Sequence, residues 1–172
     1  MIRTTRIAMA AALTLLLPHG ASLAADWTLE TIQDPATYQA LAVLHQESAG
    51  TIGDEYGKKA VRPRLEFRCA PGSGEQVAVR IDWRRFISSF NTEVTFAADD
   101  AEPLTLSLGV DRSNRITATR KDGDDAALIE YLSGADALTV TVTPYSDVPV
   151  SVDYDLAALT GRLAELRDAC TA

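Results

Sequence analysis

The sequence lacks the residue patterns that mark the common catalytic sites. It contains only two histidines, His19 and His45, and only two cysteines, Cys69 and Cys170. It has no G-x-S-x-G elbow, no H-E-x-x-H pair, no P-loop and no Cys/His cluster with zinc spacing. We therefore expect a protein that is not an enzyme, with no catalytic residue, no metal and no cofactor.

Carboxylates are the remaining candidates for acid–base chemistry or metal binding. They cluster at Asp99-Asp100-Glu102 and at Asp122-Asp124-Asp125. The second cluster lacks both the D-x-[DN]-x-[DN]-G spacing of a calcium loop and its closing glutamate. We interpret it as a turn before a helix N-terminus, where carboxylates cap backbone amides. A carboxylate-dependent glycan hydrolase is the alternative that these clusters leave open.

The N-terminal hydrophobic run is too short to cross a membrane. It extends from Ile7 to Leu17, about eleven residues against the roughly twenty that a spanning helix needs. Arg3 and Arg6 precede it, Pro18 breaks it, and small residues follow at Ser22-Leu23-Ala24. This pattern predicts a cleavable secretory signal over residues 1–24 and a single periplasmic domain over residues 25–172, with no stable membrane span.

Basic residues are scarce. Removing Arg3 and Arg6 from the 16 basic residues leaves 14 against 24 acidic ones, a formal charge of −10 for the exported chain. Such a balance argues against nucleic acid as a partner, and it is typical of a well-solvated exported protein.

Segments in which apolar and polar residues alternate are abundant, and the segment from Leu65 to Trp83 shows this alternation best. Leu65, Phe67 and Cys69 share one face, Pro71 to Gly74 form a turn, and Val77, Val79, Ile81 and Trp83 return along the same face. This pattern predicts a β-hairpin with Cys69 pointing into the core.

The two cysteines predict one disulfide bond between Cys69 and Cys170. Both lie in the exported part of the chain, where oxidised pairs are common. Cys170 also continues an apolar stripe of leucines, from Leu156 to Leu166, with helical spacing. The bond would close a loop of 170 − 69 = 101 residues. Closure of such a loop stabilises a fold by about 4 to 5 kcal/mol at most.

The rest of the chain predicts more strands and one further helix. Strands are expected near Trp27–Thr31, Thr37–His45, Glu93–Phe96, Leu104–Val110, Ile116–Arg120, Leu138–Val142 and Val150–Tyr154. A short helix capped by Asp124 or Asp125 is expected to end at Ser133-Gly134, and Asp155 is expected to cap the C-terminal helix. Gly50 to Arg64 is expected to be an exposed, mobile loop. The predicted fold class is α+β, an antiparallel sheet of hairpins packed by one short and one C-terminal helix.

Arginines around a tryptophan suggest a partner-binding surface. Arg68, Arg80, Trp83, Arg84 and Arg85 lie on or beside the hairpin, and interfaces are enriched in arginine and aromatic residues. Salt bridges to the surplus carboxylates are the alternative role for these arginines.

The order of several motifs resembles a known family. These motifs are L-x-F-R-C (65–69), V-x-I-x-W (79–83) with Phe86-Ile87, E-V-T-F (93–96), A-L-I-E-Y-L (127–132), L-T-V-T-V-T-P-Y (138–145) with V-P-V after it, and L-R-D-A-C (166–170). In this order they resemble the periplasmic type VI secretion-associated proteins of the VasI (TagO) type. The resemblance implies an association with type VI secretion, and the missing catalytic groups imply a non-enzymatic accessory protein, which we expect to interact with a periplasmic or envelope protein. A periplasmic ligand-binding or inhibitor module outside any secretion system, with ligand contacts from the Gly50 to Arg64 loop and from the arginines around Trp83, is the alternative.

Overall fold

The computed structural model describes residues 26–35, 37–74, 76–121 and 123–171. The predicted secretory signal, residues 1–24, lies outside the described residues.

Nine strands form one antiparallel sheet, and two more form a small separate hairpin. The large sheet has the strand order β1-β2-β5-β6-β9-β8-β7-β10-β11, and each neighbouring pair is antiparallel. Its strands are β1 (Thr28–Gln33), β2 (Ala40–Glu47), β5 (Arg64–Cys69), β6 (Ala78–Asp82), β7 (Thr92–Ala98), β8 (Leu104–Val110), β9 (Ile116–Ala118), β10 (Ala137–Val142) and β11 (Val150–Asp155). The small hairpin pairs β3 (Ile52–Gly53) with β4 (Ala60–Val61). The described ranges contain two helices, α1 (Asp124–Leu132) and α2 (Leu159–Thr171). The predicted α+β class is confirmed.

The sheet curls so that its first strands approach its last strand. The side chain of Gln46 donates to the carbonyl oxygen of Asp155 and accepts from the amide of the same residue, each over 3.0 Å. The indole of Trp27 donates to the same carbonyl over 3.0 Å, and the Ala49 amide donates to the Asp153 carbonyl over 2.8 Å. These bonds hold the two edges of the sheet around a shared core.

The inward faces of the strands supply that core. In register, Leu44 lies beside Phe67 and Phe67 beside Val79, while Val140 lies beside Phe96 on the other half of the sheet. All of these side chains are buried. Burial of one such large apolar side chain contributes about 1.5 to 3 kcal/mol.

The predicted disulfide bond is confirmed. Cys69 ends β5 and Cys170 lies in the last turn of α2, and their Cα atoms are 5.7 Å apart. The amide of Gly72, in the β5–β6 turn, donates to the Cys170 carbonyl over 2.8 Å. The disulfide bond therefore fixes the C-terminal helix to the β5–β6 hairpin. Leu159, Leu163 and Leu166, which belong to the predicted apolar stripe of this helix, are buried together with Cys170.

The structure corrects the predicted start of each helix. The N-cap of α1 is Gly123, with a φ of 91°, and no side chain of a described residue caps the helix. Asp125 instead accepts hydrogen bonds from the Val79 amide and the Thr119 hydroxyl, so its carboxylate joins the helix to β6 and to the segment after β9. Asp155 belongs to β11, and α2 begins four residues after it at Leu159.

The segment from Gly50 to Arg64 contains the β3–β4 hairpin instead of being loop throughout. The Asp54 side chain accepts hydrogen bonds from the amides of Tyr56 and Lys58, at 3.2 and 2.7 Å. Gly57 takes a positive φ of 63° in the same turn. A local aspartate-glycine turn thus orders a stretch whose strands are too short to show alternation.

Within the described residues, no helix is both long and apolar enough to span a membrane.

Candidate functional site

Four connections lie together at one end of the sheet. Because neighbouring strands are antiparallel, β2, β6, β8 and β10 end at the same end of the sheet at which β5, β7, β9 and β11 begin. The connecting segments are residues 48–63, 83–91, 111–115 and 143–149, and all of them are described. We call this surface the four-loop end.

The buried side chain of Arg85, in the 83–91 loop, joins three of the four loops. Its guanidinium donates to the Gly53 carbonyl over 3.0 Å and forms a 2.6 Å ion pair with Asp147. The Arg85 side chain is only 6% exposed, although it lies in a connecting segment. A buried guanidinium with carbonyl and carboxylate acceptors fixes the relative positions of its neighbours.

Backbone hydrogen bonds join the remaining loop to this assembly. The Ile87 amide donates to the Asn114 carbonyl over 2.8 Å, and the Tyr145 amide donates to the Ile87 carbonyl over 2.7 Å. The Trp83 amide donates to the Arg115 carbonyl over 3.0 Å. The Arg115 side chain reaches Glu55 at 2.6 Å. All four loops are therefore bonded to one another, and they form a preorganised surface.

Large apolar side chains project from this surface. Tyr56, Phe90, Tyr145 and Val148 are 74%, 69%, 67% and 69% exposed, respectively. They come from three of the four loops. Exposed aromatic residues on fixed loops are typical of recognition surfaces, since they bring contact area at a small cost in conformational entropy.

The carboxylates of the four-loop end are already occupied. Val148 N–H and the Arg85 guanidinium hold the pKa of Asp147 below its usual range. Glu55 binds Arg115, and Asp111 accepts from the Ser113 hydroxyl over 2.7 Å. Asp54 accepts the amides of its own turn. In contrast, Lys58, Lys59 and Arg112 form no ion pair within 4.0 Å in the described part of the chain, although Lys59 is close enough to Asp54 to influence its pKa.

The structure separates the five residues predicted to bind a partner. Arg68 and Arg80 lie on the outer face of the sheet and bind Glu66, each at 2.8 Å. Arg84 lies in the 83–91 loop of the four-loop end and binds Glu47 at 2.6 Å, and Arg85 of the same loop is the buried residue described above. The predicted salt-bridge alternative thus describes all four arginines.

The placement of Trp83 in a surface patch is wrong. Its side chain is fully buried, and its indole N–H donates to the Thr117 hydroxyl over 3.0 Å. The reason is the alternation itself, because Trp83 continues the inward face of Val79 and Ile81.

Sequence reasoning missed the exposed residues that distinguish the four-loop end. Phe90 lies in S-S-F-N and Tyr145 in P-Y-S-D, where turn-forming neighbours place an aromatic residue outside any strand. An aromatic residue within a turn is the signal that would have found them.

A groove of about 930 Å³ lies at the opposite end of the sheet. The β5–β6 turn, the start of α1 and the end of α2 form its walls, and Arg68, Lys121, Asp125 and Arg167 are among its lining residues. Lys121 and Arg167 are exposed, and neither forms an ion pair with another described residue.

The acidic clusters have structural contacts. Asp99 accepts hydrogen bonds from the amides of Asp136 and Ala137, at 3.0 and 2.9 Å, and so joins the β7–β8 turn to the start of β10. No group of three or more histidine, cysteine or acidic residues suited to a metal ion occurs within the described ranges. Asp122 lies outside them.

Comparisons with known proteins identify a fold. No family model matches the sequence, and no curated protein matches it. The crystal structure of invasion associated protein B from Bartonella henselae superposes with a TM-score of 0.50, over 83% of this chain and 92% of that chain. The sequence identity is 11%, so this likeness shows a similar fold alone.

Proposed function

We propose that the protein is an exported, non-enzymatic accessory protein that docks on a component of the cell envelope through its four-loop end. The observation that supports this most directly is the exposure of Tyr56, Phe90, Tyr145 and Val148 on loops that Arg85 holds in place. A preorganised surface binds without first paying the entropy of ordering its loops.

The signal-like pattern of residues 1–24 supports export, and the order of the sequence motifs supports a role in type VI secretion. The resemblance to the VasI (TagO) type supports an association of the protein with a type VI secretion apparatus. Recovery of components of that apparatus with the protein would support this association.

A second candidate is a periplasmic ligand-binding or inhibitor module. The groove with Arg68, Lys121 and Arg167 favours it, because an open cavity lined by both apolar and basic groups can receive a ligand. This candidate places the binding site at the end opposite the four loops.

Site-specific photocrosslinking in intact cells tests the proposal. A photoreactive amino acid replaces Tyr145 in one variant and Tyr38 in a matched control, which is 75% exposed in the β1–β2 turn at the opposite end. We expect envelope proteins or lipids to be crosslinked from position 145 and not from position 38. Equal crosslinking from both positions, or none from position 145, would contradict docking through the four-loop end.

The same experiment with the photoreactive group at Lys121 tests the second candidate. Crosslinks that arise from position 121 alone would favour a ligand in the groove.

A further inference from the structure

We infer that the four-loop end binds the surface of an anionic lipid bilayer. This inference rests on the proposed docking through that end, and it names the component that is bound. Its basis is the combination of exposed apolar side chains with cations that form no ion pair with another described residue.

The apolar side chains are placed as an interfacial anchor requires. Tyr56, Phe90, Tyr145 and Val148 project from three loops at one end of the molecule. Tyrosine and other amphipathic aromatic side chains favour the boundary between lipid headgroups and hydrocarbon. These loops are bonded to one another, so the four exposed side chains belong to one connected surface.

The charges at this end favour an anionic partner. Each of its four acidic residues already binds groups of the protein itself, as described for Asp54, Glu55, Asp111 and Asp147. Lys58 and Lys59 directly follow the loop residues Tyr56 and Gly57, and Arg112 lies in a neighbouring loop. The four connecting segments contain seven basic and four acidic residues, a formal charge of +3, so the charge that this end presents to a partner is positive.

The distribution of charge over the whole chain orients the molecule. Its formal net charge is −10 once the predicted signal is removed, so the cations of the four-loop end stand on an otherwise acidic protein. Near an anionic surface, this polarity turns the four-loop end toward the surface and the acidic remainder away from it.

Lipid fits these residues better than an acidic protein does. Lysine is depleted in protein–protein interfaces, whereas lysines beside aromatic residues keep their ammonium groups among lipid headgroups. The four apolar side chains are each at least 67% exposed, so their apolar area is available to a fluid boundary.

Vesicle co-sedimentation with the purified protein tests the inference. The vesicles contain either 30% phosphatidylglycerol in phosphatidylcholine or phosphatidylcholine alone. We expect binding to the anionic vesicles, weakened when salt is raised from 0.1 to 0.5 M. The K58Q/K59Q variant should bind roughly 25-fold more weakly, since each basic residue near such a surface contributes about fivefold. The F90S/Y145S variant should bind about tenfold more weakly, because it loses apolar area that would enter the boundary.

Two matched variants change the opposite end of the molecule. K121Q/R167Q removes two cations without described ion pairs, and Y38S removes an exposed tyrosine. Both should bind anionic vesicles as the unmodified protein does, and circular dichroism confirms the fold of every variant. Equal binding to both vesicle types, an equal loss in K121Q/R167Q, or no vesicle binding at all would overturn the inference. If vesicle binding is absent while position 145 crosslinks an envelope protein, the lipid inference fails and the docking proposal stands.

Discussion

Two adjacent arginines show how the environment decides the role of a residue. Arg84 and Arg85 follow Trp83 in sequence, but the Arg84 side chain is 39% exposed and the Arg85 side chain is 6% exposed. Both form a 2.6 Å ion pair with a carboxylate. Only Arg85 also binds a backbone carbonyl of another loop, at Gly53.

Replacement of Arg85 by methionine should destabilise the protein more than the same replacement of Arg84. Arg85→Met leaves the Gly53 carbonyl and Asp147 without the guanidinium, and we expect the free energy of unfolding to fall by about 1 to 3 kcal/mol. Arg84→Met removes a partly exposed pair, for which about 0 to 1 kcal/mol is typical. Urea denaturation measures both values, and equal values would show that Arg85 does not hold the loops together.

The sequence could predict the burial of these residues only in part. Alternation from Val77 through Val79 and Ile81 placed Trp83 on the inward face, and that placement is confirmed. The assignment of Trp83 to a surface patch relied on composition and overrode this signal. The role of Arg85 was not predictable, because its partners Gly53 and Asp147 lie 32 and 62 residues away.

At the scale of elements, the outer face of β1, β2, β5 and β6 carries a network of charges. In register, His45 lies beside Glu66 and Glu66 beside Arg80. The Glu66 side chain is 5% exposed and binds Arg68 and Arg80. The side chains of Arg68 and Arg80 therefore cover the carboxylate of Glu66 on this outer face.

His45 makes the stability of this face depend on pH. Burial, together with the charge of Arg64, lowers the pKa of His45 below 6.5, although Glu30 and Glu66 oppose the shift. The unfolded chain therefore binds a proton more readily than the folded protein does. This contribution to stability is fully present above pH 6.5 and is lost progressively as the pH falls below it.

Urea denaturation between pH 7.5 and 5.5 measures this dependence. We expect the free energy of unfolding to decrease toward pH 5.5, and the decrease should be smaller in His45→Gln, which keeps a hydrogen-bonding group near Glu30. An identical slope in both proteins would assign the pH dependence to other groups.

Local elements were more predictable than their arrangement. The alternation that predicted β5, β6, β7, β10 and β11 depends on one face of each strand being buried, so it is written in the sequence. The pairings of β6 with β9 and of β7 with β10 join distant segments. Local patterns carry no information about such pairings, and so the four-loop end could not be assembled from the sequence.

At the scale of the whole molecule, one disulfide bond encloses most of the described chain. The bond joins residues 101 positions apart, and the enclosed segment runs from the β5–β6 hairpin to α2. The chain-entropy account gives such a closed loop about 4 to 5 kcal/mol, largely by restricting the unfolded chain.

Removal of this bond should therefore lower stability without altering the four-loop end. In Cys69→Ala/Cys170→Ala, we expect the free energy of unfolding to fall by roughly 3 to 5 kcal/mol. Urea denaturation of the variant, and of the unmodified protein with and without reductant, measures this loss. A loss below about 1 kcal/mol would show that sheet closure through Gln46 and Asp155 holds the fold with little help from the bond.

Cys69 and Cys170 lie at the end opposite the four loops, and the bonds of Arg85 connect only residues at the loop end. Below its unfolding temperature, the cysteine-free variant should consequently bind anionic vesicles as tightly as the unmodified protein. A weakened binding by the folded variant would mean that the two ends of the sheet are mechanically coupled, and that closure of the chain at one end sets the positions of the loops at the other.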